Sequence, residues 1–355
     1  MSLPPTAWIG ILGGGQLGRM LALAAAPLGY KVHVFSDEAD CPAAQVSART
    51  TLGAFDDERA LASFARLVDV VTYEFENVPV AAVREVLRHV PVRPGAAALE
   101  VAQDRVAEKA FVESLGGRTA RWQAVDDVLS LEAAMTVIGF PAILKTRRLG
   151  YDGKGQVRIS SPDEALAALH HLGGRDLILE GLVPFDCEFS ILVARGVDGT
   201  HAAWPAIANR HEHGILRTSR APAPGLSPVH VAHARGMVDR LLDALDYVGV
   251  IACEFFATDS GPVFNEMAPR VHNSGHWTIE GAECSQFEQH VRAIAGLPLG
   301  STRLTGEAFE MENLLGDEAV GAHALLADPH VALHLYGKAA PAPGRKMGHV
   351  TRRRA

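Results

Sequence analysis

The stretch Ile11-Leu12-Gly13-Gly14-Gly15-Gln16-Leu17-Gly18-Arg19-Met20 places the spacing Gly-x-Gly-x-x-Gly directly after an apolar run. Glycines between a strand and a helix let the backbone approach a phosphate and point the helix's first N–H groups at it. An acid, Asp37, follows the next apolar run at about the 20-residue distance expected of a dinucleotide-binding fold. The motif indicates a phosphate or nucleotide site, or a tight turn that lets helix and strand pack. An NAD(P)-dependent oxidoreductase is one reading, which the rest of the chain must decide.

Strand and helix patterns alternate around this motif, from Trp8 to about Arg93, and the alternation predicts a parallel sheet with crossover helices. The predicted strands are Trp8 to Leu12, Lys31 to Phe35 and Val68 to Tyr73, and the predicted helices are Gln16 to Leu28, Glu58 to Leu67 and Val80 to His89. The segment Pro91 to Gly95 closes the unit with two prolines and a glycine. We therefore expect a Rossmann-like first domain over residues 1–100.

The middle of the chain mixes strands and helices without strict alternation, which predicts an α/β fold that is partly α+β. Predicted helices are Ala102 to Leu115, Leu131 to Ile138, Pro162 to Leu172 and Val229 to Leu245; predicted strands are Ala142 to Lys145, Val157 to Ile159, Leu177 to Glu180, Glu188 to Ala194 and Val250 to Phe256. The character changes after Leu297-Pro298-Leu299-Gly300. We expect a second domain over 101–297, with a lid subdomain at about 118–183, and a small C-terminal domain over 298–355.

Composition narrows the class of protein. The chain has 355 residues and a net charge of −8, and its one long basic run is Arg352-Arg353-Arg354. Because basic residues are otherwise not clustered, a nucleic-acid partner is not expected. We expect the arginine run to be solvated and disordered. Apolar windows are broken before the roughly 18 residues of a membrane span, so we expect no membrane partner and a cytoplasmic location. The four cysteines stand far apart without a CxxC pair, which argues against a disulfide framework or zinc cluster.

A second phosphate-binding pattern lies in the middle region. Lys145 ends a predicted strand, and the flexible, basic, glycine-rich loop Thr146 to Gln156 follows it. Such a loop can fold its N–H groups and Lys154 over a polyphosphate, although an ordinary hairpin with glycine turns has the same composition. The loop lacks the GxxxxGK[ST] spacing of a P-loop.

The segment Ile251 to Met267 gives the sharpest chemical signal. As a hairpin with the three-residue loop Asp259-Ser260-Gly261, Gly261 in the left-handed region, it puts Glu254 directly opposite Glu266. Facing carboxylates repel unless a cation lies between them, so a divalent metal that bridges ATP phosphates is the natural explanation, with Asn265 as a further oxygen ligand. Two solvated glutamates on an exposed edge are the alternative, and the apolar neighbours on both strands argue against it.

Seven segments, in order along nearly the whole chain, together resemble the N5-carboxyaminoimidazole ribonucleotide synthetases, ATP-grasp enzymes of purine biosynthesis. They are GGGQLGRM, YEFENVP, LKTRRLGYDGKGQ, CEFSILVARG, HGILRTS, NEMAPRVHNSGHWT and PGRKMGH. One departure is Leu149, where the family more often has a second glycine before Gly150. The resemblance implies an ATP-grasp fold and the conversion of ATP, bicarbonate and aminoimidazole ribonucleotide through carboxyphosphate to the N5-carbamate, ADP and phosphate. It also implies magnesium, as two ions, a homodimer, and no NAD or biotin.

The resemblance assigns residues to each substrate. It implies ATP contacts at Arg105, Lys145, Gly150, Tyr151, Asp152, Gly153, Lys154, Gly155, Gln156, Glu180, Gly181, Leu182, Val183, Glu188, His211, Asn265 and Glu266. Glu254 and Glu266 would bind magnesium. The implied catalytic residues are Asp152, Lys154, Arg270, His272 and Lys346, with Asp152 a general base or an orienting carboxylate; on the sequence alone an Asx turn explains Asp152 as well. The implied ribonucleotide contacts are Gly15, Gln16, Leu17, Glu74, Tyr151, Asn273, Ser274 and Arg345.

On this reading the Gly13–Gly18 loop binds the 5′-phosphate of the ribonucleotide, with Glu74 or Glu76 facing the same pocket. Three rival functions stay open at this point. They are a formate-dependent glycinamide ribonucleotide transformylase with the same fold, an NAD(P)-dependent oxidoreductase, and a nucleotide-binding protein without catalysis.

Overall fold

The computed structural model describes residues 2–150 and 152–354. Its helices are α1 (Gln16–Ala25), α2 (Glu58–Ala65), α3 (Val80–Leu87), α4 (Ala96–Ala102), α5 (Arg105–Ser114), α6 (Val128–Ile138), α7 (Pro162–His171), α8 (Pro228–Ala244), α9 (Thr278–Gly281) and α10 (Gln286–Ala295). Its strands are β1 (Trp8–Leu12), β2 (Lys31–Ser36), β3 (Arg49–Leu52), β4 (Val70–Tyr73), β5 (Trp122–Val125), β6 (Ala142–Thr146), β7 (Gln156–Ile159), β8 (Leu177–Gly181), β9 (Cys187–Arg195), β10 (His201–Ala203), β11 (Ile207–Glu212), β12 (Ile215–Ala221), β13 (Gly249–Thr258), β14 (Gly261–Ala268), β15 (Ala308–Leu315), β16 (Val331–Leu335) and β17 (Lys346–Arg354).

The N-terminal region forms the predicted parallel sheet, in the order β3-β2-β1-β4. The predicted helix Gln16 to Leu28 is an α-helix only as far as Ala25, and a 3₁₀ turn then carries the chain to Gly29, whose φ is 81°. The central strands are buried on both faces, as in a parallel sheet covered by helices. The Gly-x-Gly-x-x-Gly motif thus lies where β1 passes into α1.

A nine-stranded sheet forms the centre of the molecule, in the order β14-β13-β9-β11-β12-β15-β17-β16 with β10 added beside β9. The C-terminal strands β15, β16 and β17 extend this same sheet through β12. The prediction of a disordered arginine tail is wrong, because Arg352 and Arg354 lie in β17 and pair with Glu312 and Glu310. The domain bounds inferred from the sequence stay a prediction.

A smaller four-stranded sheet, ordered β5-β8-β6-β7, carries the glycine-rich loop between β6 and β7. α6 and α7 pack against it around a core that contains Leu131, Leu144 and Leu169. Among the described residues no helix is both long and apolar enough to cross a membrane.

The predicted helix Ala102 to Leu115 is interrupted. α4 ends at Ala102 and α5 begins at Arg105, because the Asp104 side chain accepts hydrogen bonds from the N–H groups of Val106 (3.0 Å) and Ala107 (3.4 Å) and so caps a new helix. This break turns Asp104 and Arg105 towards the glycine-rich loop.

Candidate active site

Two adjoining cavities lie between the N-terminal sheet, the central sheet and the glycine-rich loop. The larger encloses about 680 Å³ and the smaller about 250 Å³. Five side chains line both cavities: Arg105, Asp152, Lys154, Glu254 and Glu266. A group that passes from one cavity to the other therefore moves past three carboxylates and two cationic side chains.

The smaller cavity gathers most of the residues assigned to ATP from the sequence. Its walls include Lys145, Gly153, Gln156, Glu180, Gly181, Leu182, Val183, Glu188, His211 and Asn265 in addition to the shared residues. Gly150 lines the larger cavity instead, and Gly155 lines neither. The Gly155 carbonyl accepts a hydrogen bond from Thr146 N (2.8 Å) where the two arms of the loop meet. Tyr151 lies outside the described residues.

A buried ion cluster forms the floor of the smaller cavity. The Glu180 carboxylate contacts Lys145 Nζ at 2.9 Å and Lys109 Nζ at 3.4 Å. Burial alone would raise the pKa of Glu180, but the two ammonium groups outweigh burial and lower it to about 2. Sequence reasoning missed Lys109, whose only signal is its place one turn after Arg105 on α5.

Glu188 and His211 meet at the other wall of this cavity, where the His211 Nδ1 atom pairs with the Glu188 carboxylate. Burial lowers the pKa of His211, yet the hydrogen bond to Glu188 and nearby carboxylates raise it overall. His211, which the resemblance assigns to ATP, therefore lines the smaller cavity.

Glu254 and Glu266 are paired across β13 and β14, as the sequence predicts. The predicted three-residue turn is wrong: Thr258 pairs with Gly261, so the turn holds two residues, and Gly261 has φ 113°. The ladder shifts by one residue between Glu254 and Phe255, and Asn265 is the extra residue of the bulge. The bulge compensates for the shorter turn, so Glu254 and Glu266 face each other as predicted although the predicted turn is wrong.

The two carboxylates differ in electrostatic environment. Burial and then the negative charge of Glu266 raise the pKa of Glu254 to about 7. Burial would also raise the pKa of Glu266, but Arg105, which contacts it at 3.0 Å, lowers it. Among the described residues no group of three His, Cys, Asp or Glu side chains could hold a metal ion. A cation here would need oxygens from a ligand as well.

The glycine-rich loop reaches across both cavities. Asp152, with φ 46°, contacts the C-terminal Lys346 through Oδ1 and Nζ at 2.5 Å. Gly153 lies so close to Gly214, in the β11–β12 turn, that a Cβ on Gly214 would be 2.5 Å from the Gly153 Cα. The loop therefore lies over the site, with its tip against β17 and the β11–β12 turn.

The glycine motif after β1 directs two of its N–H groups to a carboxylate of the protein itself. Gly15 N donates to Glu74 Oε1 (2.9 Å) and Gly18 N donates to Glu74 Oε2 (3.4 Å), so a carboxylate of the protein lies where the sequence predicts a phosphate. Burial raises the pKa of Glu74. Gln16, Leu17 and Glu74 line the larger cavity, whereas Gly15 does not.

The opposite wall of the larger cavity carries the residues of the NEMAPRVHNSGHWT segment. Arg270 pairs with Glu76, and His272 Nδ1 bonds to the Ser274 hydroxyl (2.8 Å) while its Nε2 lies 3.7 Å from Glu254. Burial and then Arg270 hold the pKa of His272 well below its usual value. Ser274, predicted to contact the ribonucleotide, is fully buried and holds His272 instead; Asn273 lines the cavity.

Cationic side chains from the end of the chain line the same cavity. They are Lys338, Arg345 and Lys346. Sequence reasoning missed Lys338; burial and then Arg345 lower its pKa to about 8. The sequence feature that could have pointed to Lys338 is its position eight residues before Lys346, which belongs to the PGRKMGH motif assigned to the site.

Three family models match consecutive parts of the chain. They are a ribonucleotide synthetase preATP-grasp domain over residues 6–103, an ATP-grasp domain over 110–287, and a phosphoribosylaminoimidazole carboxylase C-terminal domain over 310–354.

Full-length relatives agree with these matches. The chain is 50% identical over 354 residues to the N5-carboxyaminoimidazole ribonucleotide synthase of Brucella melitensis (99% of this chain and 97% of the relative). It is 53% identical to the crystal structure of the corresponding synthetase of Thermus thermophilus, with a TM-score of 0.92 over 98% of this chain and 93% of that one. It is also 32% identical, with a TM-score of 0.91 over 98% of this chain and 93% of that one, to the Aspergillus clavatus N5-carboxyaminoimidazole synthase in complex with ADP and 5-aminoimidazole ribonucleotide.

Proposed function

The chain belongs to the N5-carboxyaminoimidazole ribonucleotide synthase family of ATP-grasp enzymes, and from this premise we propose how its residues carry out the reaction. The resemblance read from the sequence is confirmed. The enzyme is a ligase of purine biosynthesis that carboxylates 5-aminoimidazole ribonucleotide at the expense of ATP.

The chemistry requires that bicarbonate be activated, because its carbon belongs to an anion and hydroxide is a poor leaving group. A bicarbonate oxygen attacks the γ-phosphorus of ATP, the bond to the bridging oxygen breaks, and ADP and carboxyphosphate form. The amine of the ribonucleotide then attacks the carboxyl carbon and phosphate leaves, while the nitrogen loses a proton. Carboxyphosphate is labile in water, so the glycine-rich loop has to close over it.

The observation that carries this proposal is the wall that the two cavities share. ATP fits the smaller cavity, with its phosphates towards Arg105, Lys145 and Lys154 and its ribose hydroxyls towards Glu188. The larger cavity takes the ribonucleotide, and the γ-phosphoryl group is transferred at the shared wall.

Magnesium fits the facing glutamates. Glu254 and Glu266 repel each other, Glu254 has a raised pKa, and both point to the cavity where the phosphates would lie. When bound, the ion would neutralise phosphate charge. The number of ions, like the homodimer and the cytoplasmic location, stays a prediction.

For the ribonucleotide we propose a different phosphate site from the one predicted on the glycine motif. The amides of Gly15 and Gly18 are already donated to Glu74, whereas Lys338 and Arg345 line the cavity as cations. Glu74 then faces the ribose, beside Gln16 and Leu17. His272 lies near Glu254 and Arg270 lines the same cavity, so both are placed to hold bicarbonate. Asp152 and Lys346 lie at the reacting amine.

The test is ADP release by the enzyme with ATP and magnesium, with bicarbonate and 5-aminoimidazole ribonucleotide added separately and together. We expect strong stimulation only by the pair, with one phosphate released per ADP. Turnover with formate and glycinamide ribonucleotide instead would overturn the substrate assignment and keep the fold.

A further inference from the structure

Asp104 joins two parts of the active site without lining either cavity. It is only 4% exposed and lies between α4 and α5, directly before Arg105, which reaches Glu266. Its carboxylate caps α5 through the N–H groups of Val106 and Ala107.

The same carboxylate also holds the first arm of the glycine-rich loop. Arg147, the first residue after β6, donates from Nε to Oδ1 (3.1 Å) and from Nη2 to Oδ2 (2.8 Å), a two-pronged arrangement that fixes the guanidinium plane. Arg148 Nη2 lies 3.2 Å from Oδ2. The N–H of Arg105 donates to the Arg147 carbonyl (3.0 Å), so backbone and side chains form one junction.

We propose that Asp104 is a positioning residue that fixes the position of the closed glycine-rich loop and that of Arg105. The junction fixes the loop where it leaves β6, while the tip is held by the Asp152–Lys346 contact. If the junction loosens, the loop still covers ATP but opens to water more often, and carboxyphosphate reverts to bicarbonate and phosphate before the amine captures it. This inference rests on the proposed function.

The variant Asp104→Asn separates the two roles of the side chain. Asparagine caps a helix about as well as aspartate does, but it removes the charge that holds both arginines. Asp127→Asn is the matched control, because Asp127 caps α6 beside the four-stranded sheet, accepts a hydrogen bond from Ser130 N (2.7 Å), and has no arginine partner among the described residues. Arg147→Gln breaks the same junction from the other side.

The measurement is the ratio of ADP released to labelled bicarbonate incorporated, with melting temperatures as a check on folding. We expect the ratio to rise about threefold or more in Asp104→Asn and in Arg147→Gln, because both variants lose a charge-assisted pair that favours the closed loop. In Asp127→Asn the ratio should stay near the wild-type value. A wild-type ratio in folded Asp104→Asn would overturn the inference. If Asp104→Asn does not fold, a wild-type ratio in Arg147→Gln would overturn it equally. A wild-type enzyme that the two substrates do not stimulate would overturn the proposed function and this inference with it.

Discussion

Glu254 lies directly opposite Glu266 across β13 and β14, and a bulge at Asn265 is what brings them into register. Like charges that face each other across a ladder destabilise a sheet, and under the proposed function this pair is kept for the cation it would bind. Removing one of the two negative charges should therefore stabilise the fold and slow catalysis.

We expect Glu254→Gln to lower kcat by about 100-fold or more, as removal of a group that stabilises charge in the transition state does. In the presence of EDTA the same variant should melt at a higher temperature than the wild type, since about 0.5 kcal/mol of repulsion is relieved. Calorimetry and steady-state kinetics measure both effects. Asp259→Asn, in the turn of the same hairpin, is the control; a lower melting temperature for Glu254→Gln in EDTA would contradict the repulsion.

Gly15→Ala should raise KM for the ribonucleotide by about tenfold, the size of one lost polar contact, and leave KM for ATP nearly unchanged. A Cβ at Gly15 would lie 2.6 Å from Glu74 Oε1, so Glu74 must move away from the cavity wall. Gly95→Ala is a close control: both glycines are helix N-caps with φ near −70°, and a Cβ at Gly95 meets nothing within 4 Å. Equal losses for ATP and the ribonucleotide would count against this assignment.

Lys338→Gln should raise KM for the ribonucleotide while KM for ATP stays near the wild-type value, with Lys31→Gln on the exposed start of β2 as control. Since the pKa of Lys338 is lowered to about 8, the free wild-type enzyme loses this positive charge as the pH rises above 8. The wild-type KM should then climb by up to about tenfold per pH unit. The Lys338→Arg variant stays charged, so its KM for the ribonucleotide should depend less on pH. The same pH dependence in this variant and in the wild type would contradict the assignment of Lys338 to the phosphate.

His290 pins the N-terminal sheet to the central sheet, because its Nδ1 accepts from Val250 N (3.0 Å) and its Nε2 bonds to the Thr72 hydroxyl (2.8 Å). Burial lowers its pKa to about 3 in the folded protein, while the unfolded chain binds a proton below about pH 6.5. His290 therefore contributes full stability above pH 6.5, and this contribution falls as the pH drops from 6.5 towards 3, by roughly 2 kcal/mol at pH 5.

His290→Gln should cost roughly 2 kcal/mol at pH 7 through a buried hydrogen bond left unmade, and its stability should fall less steeply between pH 7 and 5. Denaturant unfolding at several pH values measures the slope. The exposed His323→Gln should keep the wild-type slope, and a His290→Gln slope equal to that of the wild type would contradict the assignment.

The sequence was a good guide where a short pattern fixes local structure. The parallel N-terminal sheet, the strand before the glycine-rich loop and the facing glutamates follow from periodicity and turn residues, and most predicted elements lie within two residues of their place in the structure. It was a poor guide to β15, β16 and β17, because edge and C-terminal strands depend on which neighbours they meet. Arg352 looked like a solvated tail because its partner Glu312 is forty residues away in the sequence.

The sequence by itself determined the family and the facing pair Glu254 and Glu266, because these depend on residue types at short, fixed spacings within each motif. Only the tertiary structure decided that Glu74, rather than a phosphate, accepts the amides of the glycine motif, and that Lys109 and Lys338 belong to the site. Partners such as Lys109 and Glu180 lie far apart in the chain and meet only when α5 packs against the two sheets. Their charges become costly, and therefore specifically paired, only once the fold has removed water from around them.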